Sequence, residues 1–113
     1  MFVRYIFNTS GDYVAFLSGG NLFSPNCEWL GFNPESNEIY DTNGNFIGSV
    51  LDDDRIVTIT NQLQRLRRIR PLPPLRPLRP LRALRRLRML RLPYGYLDVF
   101  EPGGLLYENV YKR

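Results

Sequence analysis
Ten apolar residues stand at every third position of one stretch: Leu63, Leu66, Ile69, Leu72, Leu75, Leu78, Leu81, Leu84, Leu87 and Leu90. A period of three admits few conformations. In an α-helix each step of three turns about 300°, so the row drifts by about 60° per residue and encircles the helix within six steps. In a strand the same row alternates between faces. Polyproline II has three residues per turn and keeps the row on one face. The prolines agree, since Pro71, Pro74, Pro77 and Pro80 occupy a second face and Pro73 adds to the bias. Their missing N–H groups, and the restriction each places on the residue before it, exclude an α-helix there. The third face is Arg67, Arg70, Arg76, Arg79, Arg82, Arg85, Arg88 and Arg91, interrupted by Pro73. From Leu81 onward "LRALRRLRMLRL" has helix-forming composition, but its unbroken leucine period favours continued polyproline II. Collagen is excluded, because no glycine lies between Gly48 and Gly95 and the triple helix needs one at every third residue.

At about 3.1 Å per residue, Pro71 to Leu92 would extend roughly 68 Å. A chain of 113 residues folds to a radius of gyration of only about 13 Å. A straight segment must therefore protrude, run along an assembly or fold back. An open leucine row of that length exceeds the apolar patches soluble monomers carry, so the row is expected to be buried, against the rest of the chain or between copies of it. That makes Leu63 to Leu90 an assembly stripe and the protein a structural, self-associating homo-oligomer, joined through its N-terminal domain and this stripe. The alternative partner is a nucleic acid or other polyanion, met by the arginine face through bidentate phosphate contacts. P-x-x-P-x-R matches such as Pro71-x-x-Pro74-x-Arg76 arise automatically from the repeat, so no SH3-like partner is expected from them.

The net charge of +4 hides a division. Residues 1–64 hold two arginines against eight acids, residues 65–92 hold eleven arginines and no acid, and the remainder is close to neutral. An acidic body carries a basic segment, and the two are complementary between neighbours in an assembly.

The acidic body is an internal repeat, the feature that sets a fold. "IFNTSGDYVAF" (6–16), "LFSPNCEWLGF" (22–32) and "IYDTNGNFIGS" (39–49) align at a period of 16 to 17. Phe7, Phe23 and Tyr40 correspond, as do Tyr13, Trp29 and Phe46, then Val14, Leu30 and Ile47, then Ala15, Gly31 and Gly48. A fourth copy begins near Ile56, because Ile6, Leu22, Ile39 and Ile56 keep the spacing. Each unit reads as a hairpin of two aromatic or β-branched runs about a polar turn. Asn43-Gly44 points to a type I′ turn, which needs positive φ at both residues. The expected strands lie near 3–8, 12–17, 21–24, 28–32, 37–41, 45–50 and 54–60. Tyr13, Trp29 and Phe46 are expected in the core, aromatic stripes filling cores more often than binding sugars or bases.

Catalysis finds no support in these residues. The chain has no histidine and one cysteine, Cys27, which removes the commonest transition-metal ligands and the Ser-His and Cys-His nucleophile pairs. "DTNGNF" lacks the glycine position and distal glutamate of a calcium loop. Asp52-Asp53-Asp54 reads as a solvated charge cluster. We expect no enzyme, no cofactor and no bound metal. A lone cysteine is compatible with a reducing cytosol, no signal peptide is seen at the start, and no stretch is long and apolar enough for a membrane span.

The succession "IFNTSGDYVAF", "NLFSPNCEWLGF", "IYDTNGNFIGSVLDDDRI" and "RPLPPLRPLRP" resembles the uncharacterised bacterial four-fold beta-flower domain family. Its members run "GxYIAF", "xxFxxxGxWIGW" and "xxGxYLGxxxxxxRL" into a Pro-rich three-residue repeat, of Tyr-Pro-Gly type where this chain has Pro-Leu-Arg. The resemblance covers about residues 3–93 and implies a symmetric β assembly without an assigned activity. Beyond it, "VFEPGGLLY" reads as a last hairpin turning at Pro102-Gly103-Gly104. The expected fold class is thus all-β: an antiparallel hairpin-repeat meander over 1–62, a Leu/Arg/Pro polyproline II segment over 63–93, and a C-terminal hairpin or extension over 94–113.

Overall fold
The computed structural model describes residues 3–35, 37–59 and 67–111. Eight strands form one antiparallel up-and-down sheet in sequence order: β1 (Val3–Phe7), β2 (Tyr13–Ser18), β3 (Asn21–Phe23), β4 (Trp29–Phe32), β5 (Glu38–Asp41), β6 (Phe46–Val50), β7 (Ile56–Ile59) and β8 (Tyr96–Asp98). The first seven fall where the pattern put them. β8 is additional, and it pairs with β7 through Val57–Asp98, Thr58–Leu97 and Ile59–Tyr96. The chain between β7 and β8 is thus the connection of a fourth hairpin, with the basic segment inside it. The sheet curls into a half-barrel whose two ends meet. Asp98 Oδ2 accepts the Thr9 backbone N–H and hydroxyl at 2.8 Å, and Glu101 Oε1 accepts those of Ser10 at 2.8 and 2.7 Å.

The repeat explains the packing. Ile6, Leu22, Ile39 and Ile56, one from each hairpin, are all fully buried in one cluster. In the first three hairpins the pairing register slips at the same place, after Ile6, Leu22 and Ile39. A bulge of this kind sets two residues against one, and the extra residue is Val14, Leu30 or Ile47, each buried in the same cluster. The small residue after it is needed in two of the three, because the backbone of the next strand, at Tyr40 or Val57, leaves no room for a Cβ on Gly31 or Gly48. Val99 and Phe100 close the cluster at the fourth hairpin, both fully buried.

The aromatics form a second layer. Phe7, Tyr13, Phe16 and Phe23 make their own buried cluster, with ring pairs Phe7–Tyr13 and Phe16–Phe23 at 6.3 and 5.4 Å. Of the three aromatics expected in the core, Tyr13 is buried, while Trp29 and Phe46 are half-buried.

Two local expectations are corrected. The turn at Asn43-Gly44 is not type I′, since only Gly44 has positive φ, at 92°. It is a three-residue loop with a left-handed residue before the returning strand, repeated at Gly11 (93°) and, without glycine, at Cys27 (66°) and Asp54 (70°). Asp41 caps it by accepting the N–H groups of Asn43 and Asn45, both at 2.9 Å. The last hairpin is absent too: residues 99–106 make turns and Tyr107–Tyr111 a short helix, α1. Of the three courses open to the basic segment it takes the last and folds back, since the molecule measures only 37 × 36 × 27 Å.

Candidate functional site
Residues 67–93 contain no helix, strand or turn, including the stretch beyond Leu81 whose composition suits a helix. They form a strap laid on the body, and its anchors reveal its path. In an up-and-down meander alternate turns share one end of the sheet, so the β5–β6, β3–β4 and β1–β2 turns lie in a row. The strap visits them in that order, against the direction of the chain. Arg68 N–H donates to Gly44 O at 2.8 Å and Arg67 Nε to Asn43 O at 2.7 Å. Arg76 Nη2 donates to Asn26 O at 2.7 Å. Arg86 N–H donates to Gly11 O and Met89 N–H to Thr9 O, both at 2.8 Å. Between these, the Tyr5 hydroxyl donates to Leu81 O at 2.7 Å.

Two glycines receive the strap at close range. A Cβ on Gly11 would stand 2.1 Å from Arg86 O, and one on Gly44 2.0 Å from Arg68 O. Each glycine therefore serves both the left-handed turn and the docking of a backbone. Arg68 and Arg86 are also the strap's charged anchors. Arg68 lies over the Tyr40 ring at 5.2 Å and near Glu35 and Glu38. Arg86 lies over the Phe7 ring at 3.9 Å and pairs with Asp54 at 3.0 Å. Asp54 also holds Arg4 at 2.8 Å, and Asp53 holds the buried Arg55 at 2.6 Å while Arg55 Nη1 reaches Leu90 O at 2.8 Å. Burial alone would raise the Asp53 carboxyl, but the Arg55 pairing outweighs it and holds the group below its ordinary value. The aspartate run is thus two ion-pair anchors and one solvated residue, Asp52.

Burial along the strap repeats every three residues. Arg68, Pro71, Pro74, Pro77, Pro80, Ala83, Met89 and Leu92 are half-buried, with Arg86 in the same register, and Ala83 and Met89 pack on the aromatic cluster. The leucine row faces the opposite way. Ile69, Leu72, Leu75, Leu78, Leu81, Leu84, Leu87 and Leu90 are 87–95% exposed, which overturns burial against the chain's own sheet. Leu63 and Leu66 lie outside the described residues. Of the predicted arginine face, Arg67 and Arg76 touch turn carbonyls, Arg70 lies over Trp29 at 5.7 Å, and Arg85 pairs with Asp12 at 3.0 Å. Arg79, Arg82, Arg88 and Arg91 are exposed and have no hydrogen bond or ion pair to the described residues. The inward register was the part the sequence reading missed. Its signal is the phase shared by Arg68 and Arg86 with the proline column, eighteen residues apart.

A cavity of about 450 Å³ opens beside the strap, lined by Asp12, Tyr13, Ser24, Arg82, Arg85 and Tyr111 among others. Asp12, its one carboxylate, is already engaged by Arg85 and by the Tyr111 hydroxyl at 2.7 Å. Burial pushes Tyr13 up to about 12 and Tyr111 higher still, where the Asp12 carboxylate adds to it. These phenols are proton holders far from neutral pH, an arrangement without a poised acid or base. Among the described residues no three His, Cys, Asp or Glu side chains gather as a metal site, and no helix is long and apolar enough to cross a membrane.

The fold defines an all-β chain of four hairpins around a shared apolar centre. Residues 4–96 match the family model of the 4-fold beta flower protein, and the chain belongs to that family. No curated protein and no solved structure matches it.

Proposed function
We propose that this chain is a non-enzymatic structural module that associates through the leucine row of its strap. The observation that carries this reading is eight large aliphatic side chains, 87–95% exposed at every third residue, on a segment whose proline register faces the body. We also read the strap as polyproline II. What supports this is the three-residue burial rhythm, the four prolines in one register and the lack of helix and strand. Self-association is the form of the function that needs no other molecule: rows from two or more copies bury one another. A polyanion is the second reading, favoured by Arg79, Arg82, Arg88 and Arg91, which are exposed and have no hydrogen bond or ion pair to the described residues.

Light scattering over a concentration and salt series, with and without duplex DNA, separates the two. Self-association predicts a mass that grows with concentration and persists in high salt. The polyanion reading predicts a DNA complex that salt dissolves. A particle that remains monomeric with every addition contradicts both.

A further inference from the structure
The charges on the strap narrow the partner of the leucine row. Three acids of the body are held in ion pairs, Asp12 with Arg85, Asp54 with Arg4 and Arg86, and Asp53 with Arg55, while Asp98 and Glu101 accept from the neutral Thr9 and Ser10. The strap itself has no acid. Arg79, Arg82, Arg88 and Arg91 are exposed without a hydrogen bond or ion pair to the described residues, each one residue after a leucine of the exposed row. Two such straps packed row to row would bury the leucines but also bring like-charged columns within a Debye length. A nucleic acid would engage the arginines and leave the leucines in water. An anionic bilayer accepts both, phosphates taking guanidiniums while aliphatic side chains enter the boundary between headgroups and acyl chains.

We infer that the strap docks on an anionic lipid surface, with leucines inserted at the interface and arginines on the headgroups. This rests on the reading that the leucine row is the association surface. Because the strap bends round the body within a molecule only 37 × 36 × 27 Å, one stretch of it meets a plane at a time. The stretch between the Asn26 and Gly11 anchors, with Leu78, Leu81, Arg79 and Arg82, is the chosen contact.

The test is co-sedimentation of the whole chain with vesicles of phosphatidylglycerol and phosphatidylcholine, or of phosphatidylcholine alone. The variants are Leu75→Ser/Leu78→Ser/Leu81→Ser and Arg79→Gln/Arg82→Gln, whose side chains are exposed and have no hydrogen bond or ion pair to the described residues. Expected are binding to the anionic vesicles only, a loss of about tenfold or more for the serine variant, and a several-fold loss for the glutamine variant. Equal binding by wild type and serine variant would overturn the inference, since adhesion would then be purely electrostatic. No binding to vesicles, together with oligomers that the serine variant abolishes, would also overturn it while leaving association through the leucines standing. If the serine changes affect neither vesicle binding nor oligomerisation, association through the row fails as well.

Discussion

At the scale of single residues, the glycines at the turns show how much the strap asks of the body. Gly11 and Gly44 combine positive φ with a strap carbonyl where a Cβ would stand. Gly19 has positive φ and open space around it. Gly19→Ala should therefore lose only the backbone term, about 1 kcal/mol, whereas Gly11→Ala or Gly44→Ala should lose about 2–4 kcal/mol as the strap is pushed away. Urea unfolding of the three variants checks the difference, and equal losses would mean that the strap does not press on these turns. Asp98 supplies a pH test. Burial outweighs the donors from Phe100 and Thr9 and raises its carboxyl above the ordinary value of 3.8. A carboxyl raised in the folded state binds its proton more readily there, so its contribution to stability falls as pH rises through the raised value and recovers as pH falls below it. The difference in unfolding free energy between wild type and Asp98→Asn should accordingly move against wild type with rising pH. The opposite slope would show that the donors outweigh burial.

At the scale of elements, the strap is divided by what each register needs. Proline is affordable where no backbone N–H is required, and it stops where the strap begins to donate: Arg86 to Gly11 and Met89 to Thr9. Arg86→Pro removes a donor, strands the Gly11 carbonyl and loses the guanidinium contacts with Phe7 and Asp54, so it should cost at least about 1–3 kcal/mol. Ala83→Pro falls in the same register, with no hydrogen bond from its N–H among those described, and should leave stability within about 1 kcal/mol of wild type. Thermal unfolding of the pair is the measurement. This division also shows how far the sequence could be read. The hairpins were legible because the repeat displays its strands three times over, and the spacing of Ile6, Leu22, Ile39 and Ile56 announces a common centre. β8 was not legible, since "YLD" is three residues and pairs with a strand across the whole strap. Nor was the last segment, where Val99 and Phe100 enter the core by position in space rather than by any local pattern. The strap's period of three was plain, but a period cannot say which register faces in. Apolar content suggested leucine, whereas backbone donors and ring contacts at Arg68 and Arg86 chose the proline register instead.

At the scale of the whole molecule, the fold separates what holds it together from what it displays. Truncating Ile39, fully buried at the shared centre, to alanine should cost about 2–5 kcal/mol. The triple change Leu75→Ser/Leu78→Ser/Leu81→Ser should shift stability by no more than about 0.5 kcal/mol per site and remove association. That contrast separates display from packing without naming the partner. The outward leucine row is the claim on which the functional reading stands, and thiol labelling of Leu78→Cys measures it directly. Cys27, buried in the aromatic cluster, is the internal reference in the same molecule. In dilute monomer, in native buffer, a maleimide should modify Cys at position 78 at the rate of an unfolded peptide thiol while Cys27 reacts only in denaturant. Protection of both thiols in the monomer would place the leucine row against the body and contradict the account.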